Sequence, residues 1–162
     1  MFPQYKIGPE ALKYFKLAYE CQMRGELQQA ITYYKKSLEI EPTAEAHTFL
    51  GWTYSFMERL EEAIAECHKA IAIDPEFGNP YNDIGAYYIQ MGKFDEAIPW
   101  LEKAKHAKRY ENPEFPHCNL GRIYEQKGYW PLALQEYREA LRIRPDYAPA
   151  RVALQELEAR LN

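Results

Sequence analysis

The sequence predicts an all-α protein in which four helical hairpins follow one another and a last helix covers the C-terminal end. Three observations favour this fold class. The chain repeats itself about every 34 residues, apolar residues recur at helical spacing, and glycine or proline stands at the turns. The 162 residues are 47% hydrophobic and 27% charged, which is typical of a globular chain with a continuous core.

The repeat is clearest in the first helix of each unit. A large residue, an aliphatic residue, a small residue and a fourth apolar or aromatic residue recur at fixed spacing. The four copies are Tyr14, Leu17, Ala18 and Cys21; His47, Leu50, Gly51 and Tyr54; Tyr81, Ile84, Gly85 and Tyr88; and His117, Leu120, Gly121 and Tyr124. In each copy an alanine follows twelve positions after the small residue, and proline ends three copies, at Pro42, Pro75 and Pro145.

The turns inside the hairpins have their own signals. Glycine, which readily adopts the left-handed conformation that ends a helix, stands between the two helices at Gly25, Gly92 and Gly128. The second repeat has Glu58 there, which predicts a turn that costs more free energy. Gly51 and Ala63 are small residues on the two helices of one hairpin, so we expect close contact between those helices.

Together these features resemble the tetratricopeptide repeat (TPR) family, whose unit has about 34 residues. The resemblance covers residues 11–147. It implies an α–α superhelix, or TPR solenoid, in which the first helix of each hairpin lines a concave groove. We expect an extended N-terminal segment at 1–10, four repeats at 11–43, 44–77, 78–113 and 114–147, and a C-terminal capping helix at 148–162.

The third repeat departs from the pattern. Arg109 stands where proline is expected, and the next repeat begins two residues late. We interpret this as a second helix lengthened to about Lys108. Its cations, with Lys105 among them, would then lie at the negative end of the helix dipole. A basic patch that binds an acidic partner is the alternative interpretation.

Both ends of the chain carry apolar residues. Phe2, Tyr5 and Ile7 either pack on the first repeat or stay unattached. In the last helix, four apolar residues are expected to cover the final hairpin while the charged ones face water, as terminal caps of repeat arrays do. These four are Val152, Leu154, Leu157 and Leu161.

No motif of catalysis or cofactor binding is present. The chain lacks glycine-rich phosphate loops, H-E-x-x-H, C-x-x-C and G-x-S-x-G. His47 and His117 are interpreted as half-buried packing residues, and the adjacent pairs Cys67-His68 and His117-Cys118 point too far apart on a helix to bind one metal ion. The sequence therefore predicts no catalytic, cofactor-binding or metal-binding residues, and no enzyme.

Charge and cysteine content limit the partners and the compartment. A net charge of −4 with a pI near 5.6 argues against nucleic acid and against an anionic membrane surface. Three widely separated cysteines fit a reducing compartment, and no apolar run approaches the length of a membrane span. We expect a cytoplasmic protein whose ligand is a protein or peptide.

The resemblance implies where that ligand would bind. In the family, the second, fifth, ninth, twelfth and thirteenth positions of each repeat face the groove. From these positions we predict a peptide-binding groove formed by Phe15, Tyr19, Trp52, Phe56, Asn82, Ile89, Cys118, Arg122 and Gln126. Trp52 is the expected anchor, Arg122 is suited to a carboxylate or phosphate, and Cys118 is expected to be the most reactive thiol.

The expected function is that of an adaptor or scaffold that binds a peptide segment of a partner in this groove. Three alternatives stay open at the level of sequence. Residues 1–9 could fold back and cover the groove aromatics. The array could be a self-associating structural solenoid, a weak homo-oligomer. It could also present substrates to a larger enzyme system.

Overall fold

In a computed structural model, which describes residues 5–162, the chain forms nine α-helices joined by short loops. Phe2, one of the three apolar residues that could pack on the first repeat, lies outside the described residues. The helices are Pro9–Met23 (α1), Leu27–Ile40 (α2), Ala44–Phe56 (α3), Leu60–Ile73 (α4), Asn79–Gln90 (α5), Phe94–Lys105 (α6), Glu114–Gln126 (α7), Trp130–Ile143 (α8) and Ala148–Leu161 (α9). The all-α fold class predicted from the sequence is confirmed.

Consecutive helices pair into four hairpins, α1 with α2, α3 with α4, α5 with α6, and α7 with α8. Each second helix also packs on the first helix of the next hairpin, and α9 packs on α8. The first helices α1, α3, α5 and α7 contact one another in succession along the stack. They therefore line the inner, concave side, while the second helices form the outer side.

Three of the four hairpin turns have glycine in the left-handed region, with φ of 78° at Gly25, 73° at Gly92 and 76° at Gly128. In the second hairpin Glu58 adopts the same conformation, with φ of 58°. A side chain in this region brings Cβ close to the backbone, which costs about 1–2 kcal/mol. The costlier turn predicted from the sequence is confirmed.

Small residues allow the two helices of a hairpin to touch. A Cβ built on Gly51 would lie 2.9 Å from the carbonyl oxygen of Ala63, so the predicted close contact is confirmed. The equivalent glycines pack on side chains instead. A Cβ on Gly85 would lie 2.4 Å from Leu101, and one on Gly121 would lie 2.5 Å from the ring of Tyr137.

The second helix of the third repeat does not reach Lys108. Helix α6 ends at Lys105, and the chain turns back toward the α4–α5 loop. The Arg109 N–H donates to the carbonyl of Glu76 (2.9 Å), and the Arg109 carbonyl accepts from the N–H of Gly78 (3.0 Å). These two bonds give the backbone partners outside the helix, which is why the helix stops early. The two extra residues build this returning loop.

The cations of this region are paired within the chain. Lys105 contacts Glu102 and Glu136, and Lys108 contacts Glu76 at 3.5 Å. Because these charges are already balanced, the structure does not favour a basic patch for an acidic partner.

The last helix covers the final hairpin with only part of its apolar set. Leu157 is fully buried and Leu154 half-buried, both against α8, whereas Val152 is 49% and Leu161 47% exposed. Val152 lies two residues from Leu154 and so faces another side of the helix. Leu161 is the last helical residue. The prediction that these two residues cover the hairpin is wrong.

Candidate functional site

An aromatic cluster fills the N-terminal half of the concave side. The ring of Phe49 lies at its centre, with ring centroids 5.1 Å from Phe15, 5.9 Å from Tyr19 and 5.8 Å from Trp52. The ring of Phe56 follows, 5.2 Å from Trp52. All five rings come from α1 and α3, because these helices are adjacent along the concave side.

Exposure rises steadily along this cluster. Phe15 is 0% exposed, Tyr19 and Trp52 are half-buried, and Phe56 is 53% exposed. Aromatic surface that a ligand could contact therefore lies at the C-terminal end of α3. Phe15, although predicted from the repeat register as a groove residue, lies inside the structure.

The fifth position of every repeat is buried. It is occupied by Phe15, Thr48, Asn82 and Cys118. In two cases the residue at the sixth position of the next repeat covers this buried side chain. Phe49 covers Phe15, and the Asn119 amide donates to the Asn82 side-chain oxygen at 3.1 Å. Successive first helices thus enclose this position, and Asn82 and Cys118 join Phe15 inside the stack.

The buried thiol of Cys118 corrects a further expectation. Cys118 is 1% exposed and packs with Tyr137, Ala133 and Ala140. Burial raises the pKa of its thiol, an effect that the nearby Arg122 only partly opposes. Thiol reactivity requires exposure and a low pKa, so the prediction of a reactive Cys118 is wrong.

Accessible positions form a strip along the C-terminal ends of the first helices. The ninth and thirteenth positions of each repeat are half-buried or exposed throughout. This accessible strip consists of Tyr19, Met23, Trp52, Phe56, Ala86, Gln90, Arg122 and Gln126. Five of the predicted site residues belong to it, and a sixth, Ile89, lies half-buried beside it.

The C-terminal part of the accessible strip is polar. Arg122 and Gln126 are exposed, and Arg122 lines a shallow depression between α7 and α9 with Glu125, Val152 and Glu156. Within residues 5–162, no carboxylate lies in ion-pair contact with Arg122. An unpaired guanidinium can bind a carboxylate or phosphate through two parallel hydrogen bonds.

The N-terminal segment occupies the opposite edge of the concave side. The Tyr5 ring lies edge-on to Phe15, Phe49 and Phe77, with centroid distances of 5.8, 6.0 and 6.5 Å. Tyr5 therefore covers Phe15, as the alternative of self-coverage predicted. Within residues 5–162 the Tyr5 ring contacts Phe15, Phe49 and Phe77, whereas the exposed Phe56 ring lies against Trp52.

Two backbone hydrogen bonds attach the same segment. The Lys6 N–H donates to a carboxylate oxygen of Glu45 at 3.1 Å, and the Gly8 N–H donates to Glu41 at 2.6 Å. Helix α1 already begins at Pro9, where proline suits a first helical turn, so the extended segment is shorter than the ten residues predicted.

Arg109 completes this edge. Its guanidinium binds Glu45 at 3.0 Å and Asp74 at 2.7 Å and lies 4.2 Å from the centre of the Phe77 ring. Glu45 is only 1% exposed, so Arg109 balances a buried charge. Burial would raise the pKa of Asp74, but hydrogen bonds from Arg109 and from the Glu76 N–H outweigh it and lower that pKa.

The histidines have a structural role in the hairpins. His47 Nδ1 lies 2.6 Å from Glu66, and His117 Nδ1 lies 2.6 Å from Glu136, in equivalent places of the second and fourth repeats. The half-buried packing role predicted for both is confirmed. Over residues 5–162, His, Cys, Asp and Glu side chains nowhere gather in threes or more as a metal site would need.

Three residues of the groove edge were missed by the sequence-based prediction. Phe49 stands at the sixth position, next to the predicted groove position, and Phe77 lies in a loop. Arg109 was interpreted as a cation at the end of a lengthened helix. Its departure from the repeat pattern was the only available signal, because its partners Glu45 and Asp74 are 64 and 35 residues away.

Comparison with known proteins agrees with the repeat count. One tetratricopeptide repeat profile matches residues 11–44 and 115–147, and a second profile of the same description matches residues 44–77 and 79–109. No helix in the described part of the chain has the length and apolar character needed to cross a membrane.

Relatives match over most of the chain but extend beyond it. The inactive TPR repeat-containing thioredoxin TTL3 of Arabidopsis thaliana is 24% identical over 90% of this chain, which spans 22% of that protein. The type IV pilus assembly protein PilF of Pseudomonas aeruginosa is 27% identical over 80% of this chain, which spans 52% of that protein.

Solved structures show the same fold. The Pseudomonas aeruginosa PilF structure has a TM-score of 0.86 at 24% identity, covering 93% of this chain and 68% of that one. YrrB, described as a TPR protein with an unusual peptide-binding site, has a TM-score of 0.67 at 24% identity, covering 93% and 77%. With repeat profiles matched over most of its length, the chain belongs to the tetratricopeptide repeat family.

Proposed function

We propose that this protein is an adaptor that binds a segment of a partner polypeptide along the accessible strip of its concave groove. One observation carries the proposal. Trp52 and Phe56 expose aromatic surface side by side on the concave side, with Phe56 53% exposed. Exposed aromatic residues that hairpin packing does not require are typical anchors of protein interfaces.

The rest of the strip defines the partner's chemistry. An apolar side chain of the partner packs on Trp52 and Phe56, the Gln90 amide pairs with its backbone, and Arg122 binds a carboxylate or phosphate further along. The partner segment therefore carries an apolar residue and, at a distance along the strip, an acidic or phosphorylated one. Affinity near 1 μM, about −8 kcal/mol, is reasonable for a contact of this size.

The relatives support a binding role. YrrB is described by its peptide-binding site, and the proteins similar to this chain include subunit 3 of the anaphase-promoting complex of Schizosaccharomyces pombe. PilF is named for type IV pilus assembly. These names describe assembly and peptide binding, which are activities of a scaffold.

Capture of partners from the source lysate tests the proposal. The bait is the wild-type chain, compared with Trp52→Ala/Arg122→Ala and with the matched control Tyr129→Ala/Arg138→Ala, an exposed aromatic and an exposed arginine near α8. We expect a protein captured by wild type and control but lost with the groove variant. Equal capture by the groove variant and the wild type would exclude the groove as the working surface.

Self-association is the second candidate, favoured by apolar surface at the C-terminal end. Trp130, Leu132 and Leu161 are 39%, 45% and 47% exposed. Such an end can stack on another copy. Light scattering at increasing protein concentration measures this directly, and a constant monomeric mass would exclude it.

A further inference from the structure

We propose that Phe15, Phe49 and Phe77 form a pocket that recognises an aromatic side chain of an extended polypeptide segment. In this structure the chain's own residues 5–8 fill the pocket as an intramolecular ligand. A partner segment with the same chemistry displaces them, so the N-terminal segment regulates the groove. The inference rests on the proposed use of the groove for binding, and it adds a second subsite beside the accessible strip.

The pocket is built by elements far apart in the chain. Phe15 comes from α1, Phe49 from α3 and Phe77 from the loop before α5. The Tyr5 ring meets them at interplanar angles of 89°, 65° and 76°, respectively. Edge-to-face contacts of this kind are the favoured geometry for aromatic pairs. Three rings therefore converge on one inserted side chain, as they would on the anchor residue of a bound peptide.

The backbone of the segment is held as a peptide ligand would be. The N–H groups of Lys6 and Gly8 are two residues apart and donate to the carboxylates of Glu45 and Glu41. Hydrogen bonds to ionised acceptors are about twice as strong as those between neutral groups. Neither bond uses a side chain of the segment, so any extended segment with N–H groups at those places can form them.

The pocket also limits what the segment can be. A Cβ on Gly8 would lie 2.8 Å from the Glu41 carboxylate, so the third residue after the aromatic one is glycine unless Glu41 moves. Burial, with the negative charges of Glu111 and Glu45, raises the pKa of Tyr5 to about 12. The surroundings thus disfavour a negatively charged ring, and the pocket selects a neutral aromatic residue followed three places later by a small one.

Attachment within one chain makes the segment an effective competitor. A short tether gives an effective concentration on the order of 1 mM, so a weak intramolecular contact blocks a free peptide of similar affinity. Removing the Tyr5 side chain opens the pocket without changing the residues that form it. The segment then becomes exchangeable for a peptide added from outside.

The test uses the full chain and a synthetic peptide of residues 1–9, labelled at its C-terminus and followed by fluorescence anisotropy. We expect Tyr5→Ala protein to bind the peptide at least tenfold more tightly than wild type. The matched control Tyr5→Phe, which refills the pocket, should bind as weakly as wild type. Peptide carrying Tyr5→Ala should not bind, and adding Phe49→Ala to the Tyr5→Ala protein should abolish binding.

Circular dichroism shows whether each variant keeps its helices. If Tyr5→Ala does not fold, Lys6→Pro replaces it with the same expected increase, because proline has no N–H to donate to Glu45 and also restricts the backbone of Tyr5. Equally weak peptide binding by wild type and by a folded opened variant overturns the inference. Partner capture that still depends on Trp52 and Arg122 would then leave the proposed function standing, which separates the two failures.

Discussion

Single residues set how closely the helices approach, and the glycines at the hairpin crossings show it best. At Gly121 an added Cβ would lie 2.5 Å from the Tyr137 ring, whose hydroxyl donates to Glu125 at 2.7 Å. The ring is therefore held at both ends, by packing and by a hydrogen bond. At Gly85 the nearest atoms belong to the more flexible Leu101.

Gly121→Ala is expected to lower the free energy of unfolding by about 1–3 kcal/mol, because the Tyr137 ring cannot move away without losing its bond to Glu125. The higher helix propensity of alanine, about 1 kcal/mol, only partly offsets this. Urea unfolding measures the difference, with Gln135→Ala on the exposed side of α8 as the control. A variant as stable as wild type would contradict the close contact.

The turn at Glu58 makes the opposite prediction. Glu58→Gly should raise the free energy of unfolding by about 1 kcal/mol, because glycine adopts φ of 58° without steric cost. Gly92→Ala, at φ of 73°, should lower it by a similar amount. Thermal unfolding of both variants provides the check, and a loss of stability in Glu58→Gly would refute the strained turn.

At the scale of helices and loops, the repeat pattern predicted the hairpins and their turns, since each depends on residues close together in sequence. The end of α6 was not predictable in this way. It depends on Arg109, whose charged partners Glu45 and Asp74 lie in the second repeat and at its end. The local sequence shows only that a proline is missing at this place. The stacked fold shows that Arg109 and its ion pairs with Glu45 and Asp74 hold the loop instead.

Arg109→Ala tests this loop. It leaves Glu45, which is 1% exposed, without its counter-charge, so we expect the free energy of unfolding to fall by about 3 kcal/mol. Lys108→Ala is the control, because the Lys108 side chain is 81% exposed and its ion pair with Glu76 should contribute less than about 1 kcal/mol. Equal effects of the two substitutions, measured by urea unfolding, would contradict the buried role of Arg109.

The histidine–glutamate pairs predict that the stability of the protein depends on pH. Burial raises the pKa of Glu136, but hydrogen bonds from His117 and Lys105 outweigh it and lower the folded-state value. The pKa of Glu66 is lowered in the same way, by hydrogen bonds from His47 and Lys69 that outweigh burial. Because the unfolded chain binds these protons more readily, the stabilisation is present above the unfolded pKa of about 4.3 and is lost as pH falls through the lower folded value.

Stability measured from pH 6 to pH 3 should therefore fall more steeply for wild type than for Glu66→Gln/Glu136→Gln. The exposed pair Glu61→Gln/Glu96→Gln serves as a control with an unchanged slope. If the first double variant kept the wild-type slope, Glu66 and Glu136 would not be responsible for the acid sensitivity.

At the scale of the whole molecule, the concave side has two zones. Among residues 5–162, residues 5–8 and Arg109 close one edge, and the Trp52–Phe56 part of the accessible strip exposes aromatic surface on the other. The repeat register predicted which helices line the groove and placed Trp52 and Phe56 on it. It could not predict that the fifth positions are enclosed, because their burial depends on the distance between successive first helices, as with Phe15 under Phe49.

The groove as a binding surface is the central claim, and photo-crosslinking tests it most directly. A benzophenone amino acid replaces Phe56, 53% exposed on the concave side, or Trp130, 39% exposed on α8, and the source lysate is irradiated. We predict a partner adduct from position 56 that Trp52→Ala abolishes and that position 130 does not give. Binding in the groove would be contradicted if the adduct formed only from position 130. It would also be contradicted if the adduct from position 56 formed equally well in the Trp52→Ala variant.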